Sequence, residues 1–233
     1  MVRIDAQVAR EQADSAGATG PRWRPAILGL ISLATALAVV ACSSASARAH
    51  GPGGAGSAEH HRSITLVGDS LSILGREQVW ATLPTAGWTV MIDAFPGRTT
   101  GMQLASLRRA ASRHQPATLV ELGTNDALAL AAGLITPIQE SADLSAAVDL
   151  FARQCVVWIE PDHDPQRRGA DAGSRVDALL ARQARLHPNL HLADFGSVLA
   201  AHPEYLVADR THLTPAGYRQ LASFMAQALD ACA

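Results

Sequence analysis

Four short motifs in this chain carry the residue types that nucleophilic acyl transfer requires: Gly68-Asp69-Ser70, Pro96-Gly97, Gly123-Thr124-Asn125-Asp126 and Asp209-Arg210-Thr211-His212. A serine hydroxyl becomes a useful nucleophile only when a general base lies within hydrogen-bond reach and an acceptor orients that base. Ser70 is the candidate nucleophile. His212 would take its proton and later deliver it to the leaving group. Asp209, on the same loop, is placed to accept the other imidazole N–H and hold the tautomer. The negative charge that develops on the attacked carbonyl needs fixed donors, and the available set is the backbone N–H of Ser70 and of Gly97 and the side-chain amide of Asn125. Glycine suits position 97 because a side chain there would obstruct the approach of substrate to the backbone. Asp69 and Asp126 read as helix caps or loop braces rather than as reacting groups.

These motifs need a scaffold that converges them. Apolar runs of strand length occur at Ile64–Val67, Trp88–Ile92, Thr118–Leu122, Cys155–Ile159 and Leu190–Ala193. Helical periodicity separates them at Leu71–Leu83, Met102–His114, Ser141–Arg153 and Ala172–His187, and Pro215–Ala231 closes the chain. Strand–helix alternation predicts an α/β fold with a central parallel sheet and helices on both faces. Near-continuous apolar strands such as CVVWI fit a sheet buried on both sides. Ligands bind at the carboxyl ends of such strands, and three of the motifs directly follow a strand. The stretches 126–140 and 161–170 read as irregular loops. Trp80, Trp88 and Trp158 read as core, and Glu160–Asp164 as solvated loop. His114, His163, His187, His191 and His202 read as surface or packing histidines. The chain shows no internal repeat, zinc spacing, P-loop or GxGxxG.

GDSLS at 68–72, Gly97 within PGRTT, GTND at 123–126 and DRTH at 209–212 together resemble the four signature blocks of the SGNH/GDSL hydrolase superfamily. The stretch from Ile64 to Asp126 is similar to the branch that holds small arylesterases, lysophospholipases and acyl thioesterases. The resemblance implies a flavodoxin-like three-layer α/β/α fold and ester hydrolysis through an acyl-Ser70 intermediate, with no metal and no cofactor. It places catalysis on Ser70, Asp209 and His212, and oxyanion binding on Ser70, Gly97 and Asn125. The GxSxG elbow of the other large serine-esterase fold is absent. The expected substrate is a carboxylic ester, drawn from short or medium acyl esters, lipids or acetylated glycans. Two alternatives stay open: an O-acyltransferase using the same site, or a non-catalytic binding lipoprotein.

The N-terminal part reads as a targeting device. Arg22-Trp23-Arg24 precedes the uncharged run Ala26–Ala41, which is shorter than the roughly 20 residues of a membrane-spanning helix. A positive flank, a short apolar core and small residues at the exit describe a secretory signal peptide. Val39-Val40-Ala41-Cys42 resembles the lipobox of bacterial lipoproteins, in which the cysteine is acylated. The expected organisation is therefore 1–42 as signal peptide with lipidation at Cys42, 43–62 as flexible tether and 63–233 as the SGNH-type domain. The expected location is the outer face of the cell membrane, with plain secretion as the alternative. The small-residue, Gly- and Pro-rich tether cannot bury enough apolar surface to offset its ordering entropy.

The remaining cysteines, Cys155 and Cys232, form an even pair, for which an exported protein makes a disulfide plausible and two buried thiols the alternative. With 19 basic and 21 acidic residues the formal charge is −2, which leaves no basic excess for nucleic acid. A monomer is expected.

Overall fold

The computed structural model describes residues 62–160 and 170–233. The signal-peptide and Cys42 readings, most of the tether, His163 and all of the Glu160–Asp164 segment except Glu160 lie outside the described residues. Five strands form one parallel sheet: β1 (Arg62–Gly68), β2 (Trp88–Ala94), β3 (Ala117–Glu121), β4 (Cys155–Ile159) and β5 (Leu190–Ala193), in the order β2-β1-β3-β4-β5. This is the doubly wound architecture that strand–helix alternation predicts. β1 opens at Arg62, which the sequence assigned to the tether. Its guanidinium lies 4.0 Å from the Trp88 ring centroid.

Period-two alternation sends neighbouring residues of each strand to opposite faces. Ile64, Leu66, Leu119, Val157 and Ile159 join one core, whereas Val67, Val120, Val156 and Trp158 join the other. The first core is covered by α2 (Arg76–Thr82), α7 (Phe195–Ala201) and α8 (Pro215–Ala228). The second is covered by α3 (Leu104–Ser112), α4 (Thr124–Ala131), α5 (Pro137–Asp149) and α6 (Ala170–Leu186). Cys155, at the start of β4, forms a disulfide with Cys232 in the terminal 3₁₀ turn, with Cα atoms 5.8 Å apart.

Several expectations need correction. The helix read as Leu71–Leu83 is two helices, α1 (Ser70–Leu74) and α2, because the chain breaks at Gly75. A Cβ at Gly75 would meet the Tyr218 ring at 2.9 Å and the Leu71 carbonyl at 3.0 Å. The stretch 126–140 is mostly helical rather than irregular: α4 fills its first half, and α5 starts at Pro137 under a Thr136 cap that accepts from Gln139 N–H. Helix α7 was also missed, although Asp194 caps it by accepting from Ser197 N–H. Trp80 is 48% exposed, whereas Trp88 and Trp158 are core. On α2 the buried side is carried by Val79, so its neighbour faces outward.

Candidate active site

The turn from β1 into α1 presents Ser70 at the first helical position. A helix start leaves four backbone N–H groups without intrahelical partners. Here three of them find carboxyl oxygens: Leu71 N–H donates to Asp69 Oδ1 at 3.0 Å, Ser72 N–H to Glu121 Oε2 at 3.2 Å and Asp69 N–H to the same oxygen at 3.4 Å. The fourth, Ser70 N–H, is left for a ligand. Gly68 permits this packing, since a Cβ there would collide with Ser72 Oγ.

His212 arrives on the loop before α8. Its Nε2 stands 3.1 Å from Ser70 Oγ, and its Nδ1 lies 2.7 Å from Asp209 Oδ2. Asp209 also ties down the loop, accepting at Oδ1 from the N–H groups of Thr211 and His212, both at 2.9 Å. Arg210 between them takes a positive φ of 55°. The hydrogen bonds from the His212 side chain and backbone hold the Asp209 carboxyl down at about 2. An ionised Asp209 fixes the N–H on Nδ1 and leaves Nε2 facing the serine.

Asn125 sits in the first turn of α4, beyond the carboxyl end of β3, and its Nδ2 donates to Asp69 Oδ2 at 2.7 Å. An amide nitrogen carries two hydrogens, so this bond orients the group and uses one of them. Gly97 has φ +70°, a left-handed backbone that favours glycine, with open space where a Cβ would stand. The segment after it is clamped by Asp126, whose carboxylate accepts from Thr100 N–H at 2.8 and 3.1 Å. Gln103 Nε2 donates to the Gly68 carbonyl at 2.8 Å and joins that segment to the serine turn. Asp69 therefore caps α1 and Asp126 braces the segment after Gly97, the two roles the sequence reading left open for these acids.

Two buried acids escaped the sequence reading. Glu121 ends the apolar strand ATLVE and accepts from Ser72 Oγ at 2.8 Å in addition to two backbone groups. Burial first, and then the neighbouring Asp69 charge, pushes the Glu121 carboxyl well above its ordinary value, and burial raises Asp69 to about 6. Both carboxyls therefore hold their protons to higher pH than an exposed acid would. Glu140 on α5 is fully buried against Asp126, and burial followed by that charge pushes it up to about 9. A charged residue closing a fully buried strand was the available signal for Glu121. Glu140 lay in a stretch read as loop and gave none. Of the histidines read as non-catalytic, His187 pairs with Asp149 and His202 with Glu204.

The comparisons with known proteins agree with this architecture. A family model described as GDSL-like Lipase/Acylhydrolase matches residues 63–220. The O-acetyltransferase OatA of Staphylococcus aureus (strain NCTC 8325 / PS 47) is 27% identical over 169 residues, 71% of this chain. The chain spans about a quarter of the length of the curated relatives it matches, the aligned part being 24% of each. Among solved structures, TesA superposes with a TM-score of 0.61 at 19% identity, covering 74% of this chain and 100% of that one. The acetyl xylan esterase AlAXEase superposes with a TM-score of 0.61 at 18% identity, covering 72% and 99%. At such identities the structural likeness speaks for the fold.

Proposed function

The chain belongs to the GDSL-like lipase/acylhydrolase family, and from that premise we propose that it is a serine esterase that cleaves carboxylic esters through an acyl-Ser70 intermediate. The observation that carries the reading is the continuous relay from Asp209 Oδ2 through His212 to Ser70 Oγ, at 2.7 and 3.1 Å, beside one unclaimed helix N–H.

In the proposed reaction Ser70 Oγ attacks the ester carbonyl while His212 Nε2 takes its proton. The oxyanion forms against Ser70 N–H, Gly97 N–H and the second hydrogen of Asn125 Nδ2. His212 then protonates the departing alkoxide, which leaves the acyl group on Ser70. Water enters on the same side, gives its proton to His212 and attacks the acyl carbon. Collapse of the second oxyanion releases the acid and returns the proton to Ser70. Asp209 stays ionised throughout and stabilises the imidazolium.

An acyltransferase differs only in the last step, where an alcohol replaces water. The resemblance to OatA keeps that reading in play. The lipid-anchored, exported location is likewise a proposal, supported by the Cys42 sequence pattern. The Cys155–Cys232 disulfide suits an oxidising compartment.

The test is hydrolysis of p-nitrophenyl esters by the purified protein beside Ser70→Ala, His212→Ala and the double variant. Each single variant should remove nearly all turnover, and the double should cost little more, since the two act as a unit. Undiminished turnover in Ser70→Ala would overturn the assignment. Faster p-nitrophenol release with added sugar or alcohol acceptors, together with the acylated acceptor as product, would favour the transferase.

A further inference from the structure

A cavity of about 770 Å³ opens beside the oxyanion donors. Gly97 and Asn125 are part of its wall, whereas Ser70, Asp209 and His212 are not. From Asn125 the wall continues along one face of α4 through Leu128, Ala129 and Ala132, the spacing of a single helical stripe. Seven residues of helix extend about 10 Å. Leu134, Ile135 and Met102 add apolar surface, Thr99, Gln139 and Asp143 supply a polar side with one carboxylate, and no lining residue is cationic or aromatic.

The chemistry proposed above fixes which part of a substrate faces this cavity. A carbon bound to Ser70 Oγ carries its oxygen among the oxyanion donors. Its leaving oxygen, or the attacking water, must reach His212 Nε2, which stands 3.1 Å from Ser70 Oγ. The acyl chain must then leave on the side that His212 does not occupy, where two oxyanion donors continue into the apolar wall of α4. An acetyl group would leave nearly all of that space to water. No cation is available there to hold a carboxylated chain.

Resting on the esterase reading, we infer that this cavity is an acyl-chain slot and that the preferred substrates are esters of neutral, medium-length acyl chains rather than acetyl esters. The 10 Å stripe accommodates an extended chain of roughly eight carbons. Each methylene that reaches the slot should raise kcat/KM by up to about fourfold.

The experiment compares kcat/KM of the full-chain protein for p-nitrophenyl acetate, butyrate, octanoate and palmitate. Ala129→Leu fills the middle of the slot and Ala132→Phe its far end. The readout is the octanoate-to-acetate ratio within one sample, from which the folded fraction cancels. In parallel, ethyl and octyl fluorophosphonates label Ser70 without requiring turnover. Octanoate should exceed acetate at least tenfold, octyl labelling should outpace ethyl, and either variant should lower the ratio at least fivefold. A preference for acetate, equal labelling by both probes, or a ratio that neither variant moves would overturn the slot while leaving the esterase standing. Absence of labelling by both probes would overturn the esterase reading and the slot with it.

Discussion

The carboxyl of Glu121 offers a quantitative test of how the serine turn is held. It is buried at the end of β3 and takes three donors on one oxygen: Ser72 Oγ at 2.8 Å, Ser72 N–H at 3.2 Å and Asp69 N–H at 3.4 Å. Glu121→Ala would leave all three buried and unpaired. At about 1–2 kcal/mol for each orphaned donor, the loss is about 3–6 kcal/mol. That is comparable to half the stability of an ordinary domain. Glu121→Gln keeps a carbonyl oxygen for the same donors and offers an N–H to Asp69, so it should cost no more than about 1 kcal/mol. The pH dependence adds a second signature. Because the folded-state pKa of Glu121 is raised, the native protein keeps a proton that the unfolded chain releases above 4.5. Wild-type stability therefore declines as pH rises from there towards the folded value, by at most about 1.4 kcal/mol per unit from this group. The Gln variant lacks that slope and should gain on wild type between pH 5 and pH 8. Urea denaturation with the disulfide intact, at both pH values, measures all of this. The account fails if Gln is as damaging as Ala, or if Ala costs less than about 1 kcal/mol.

Asn125→Ala should lower kcat on p-nitrophenyl esters by roughly 10²–10³, the usual effect of deleting one oxyanion donor, with wild-type turnover counting against that role. Glu140, pushed up to about 9, likewise holds a proton when folded that the unfolded chain loses above 4.5. Stability from this group falls as pH rises across that window, so melting-temperature profiles of wild type and Glu140→Gln should diverge between pH 5 and pH 9; parallel profiles would remove the buried, protonated acid. The Cys155–Cys232 bridge spans 77 residues, so the double Ala variant should lose about 4 kcal/mol in denaturant titration. A loss below about 1 kcal/mol would mean that the bridge contributes little.

The strands were legible because a sheet buried on both faces demands continuous apolar runs, and Ile64–Val67 and CVVWI are such runs. Asp209 and His212 were legible because a carboxylate and an imidazole on one tight loop are neighbours in any folded state. Helix α4 was hidden because Thr124-Asn125-Asp126 carries loop-like residues into a first turn, and the alanines after them show weak periodicity. Trp80 misled because an apolar pattern does not say which side of a two-turn helix meets the sheet.

The amino-acid sequence by itself determined the inventory of the site, its order along the chain and the contacts closed within a few residues, such as Asp69 with Leu71 N–H and Asp209 with His212. Only the tertiary structure decided the meetings of distant residues: His212 with Ser70, 142 positions apart, Ser72 with Glu121, 49 apart, and Asn125 with Asp69, 56 apart. Local spacing constrains neighbours through bond geometry and hydrogen-bond reach. Contacts across such separations depend instead on the register of β1 beside β3 and on the packing of α8 against one sheet face. Those follow from burying both cores at once, a property of the whole chain rather than of any motif.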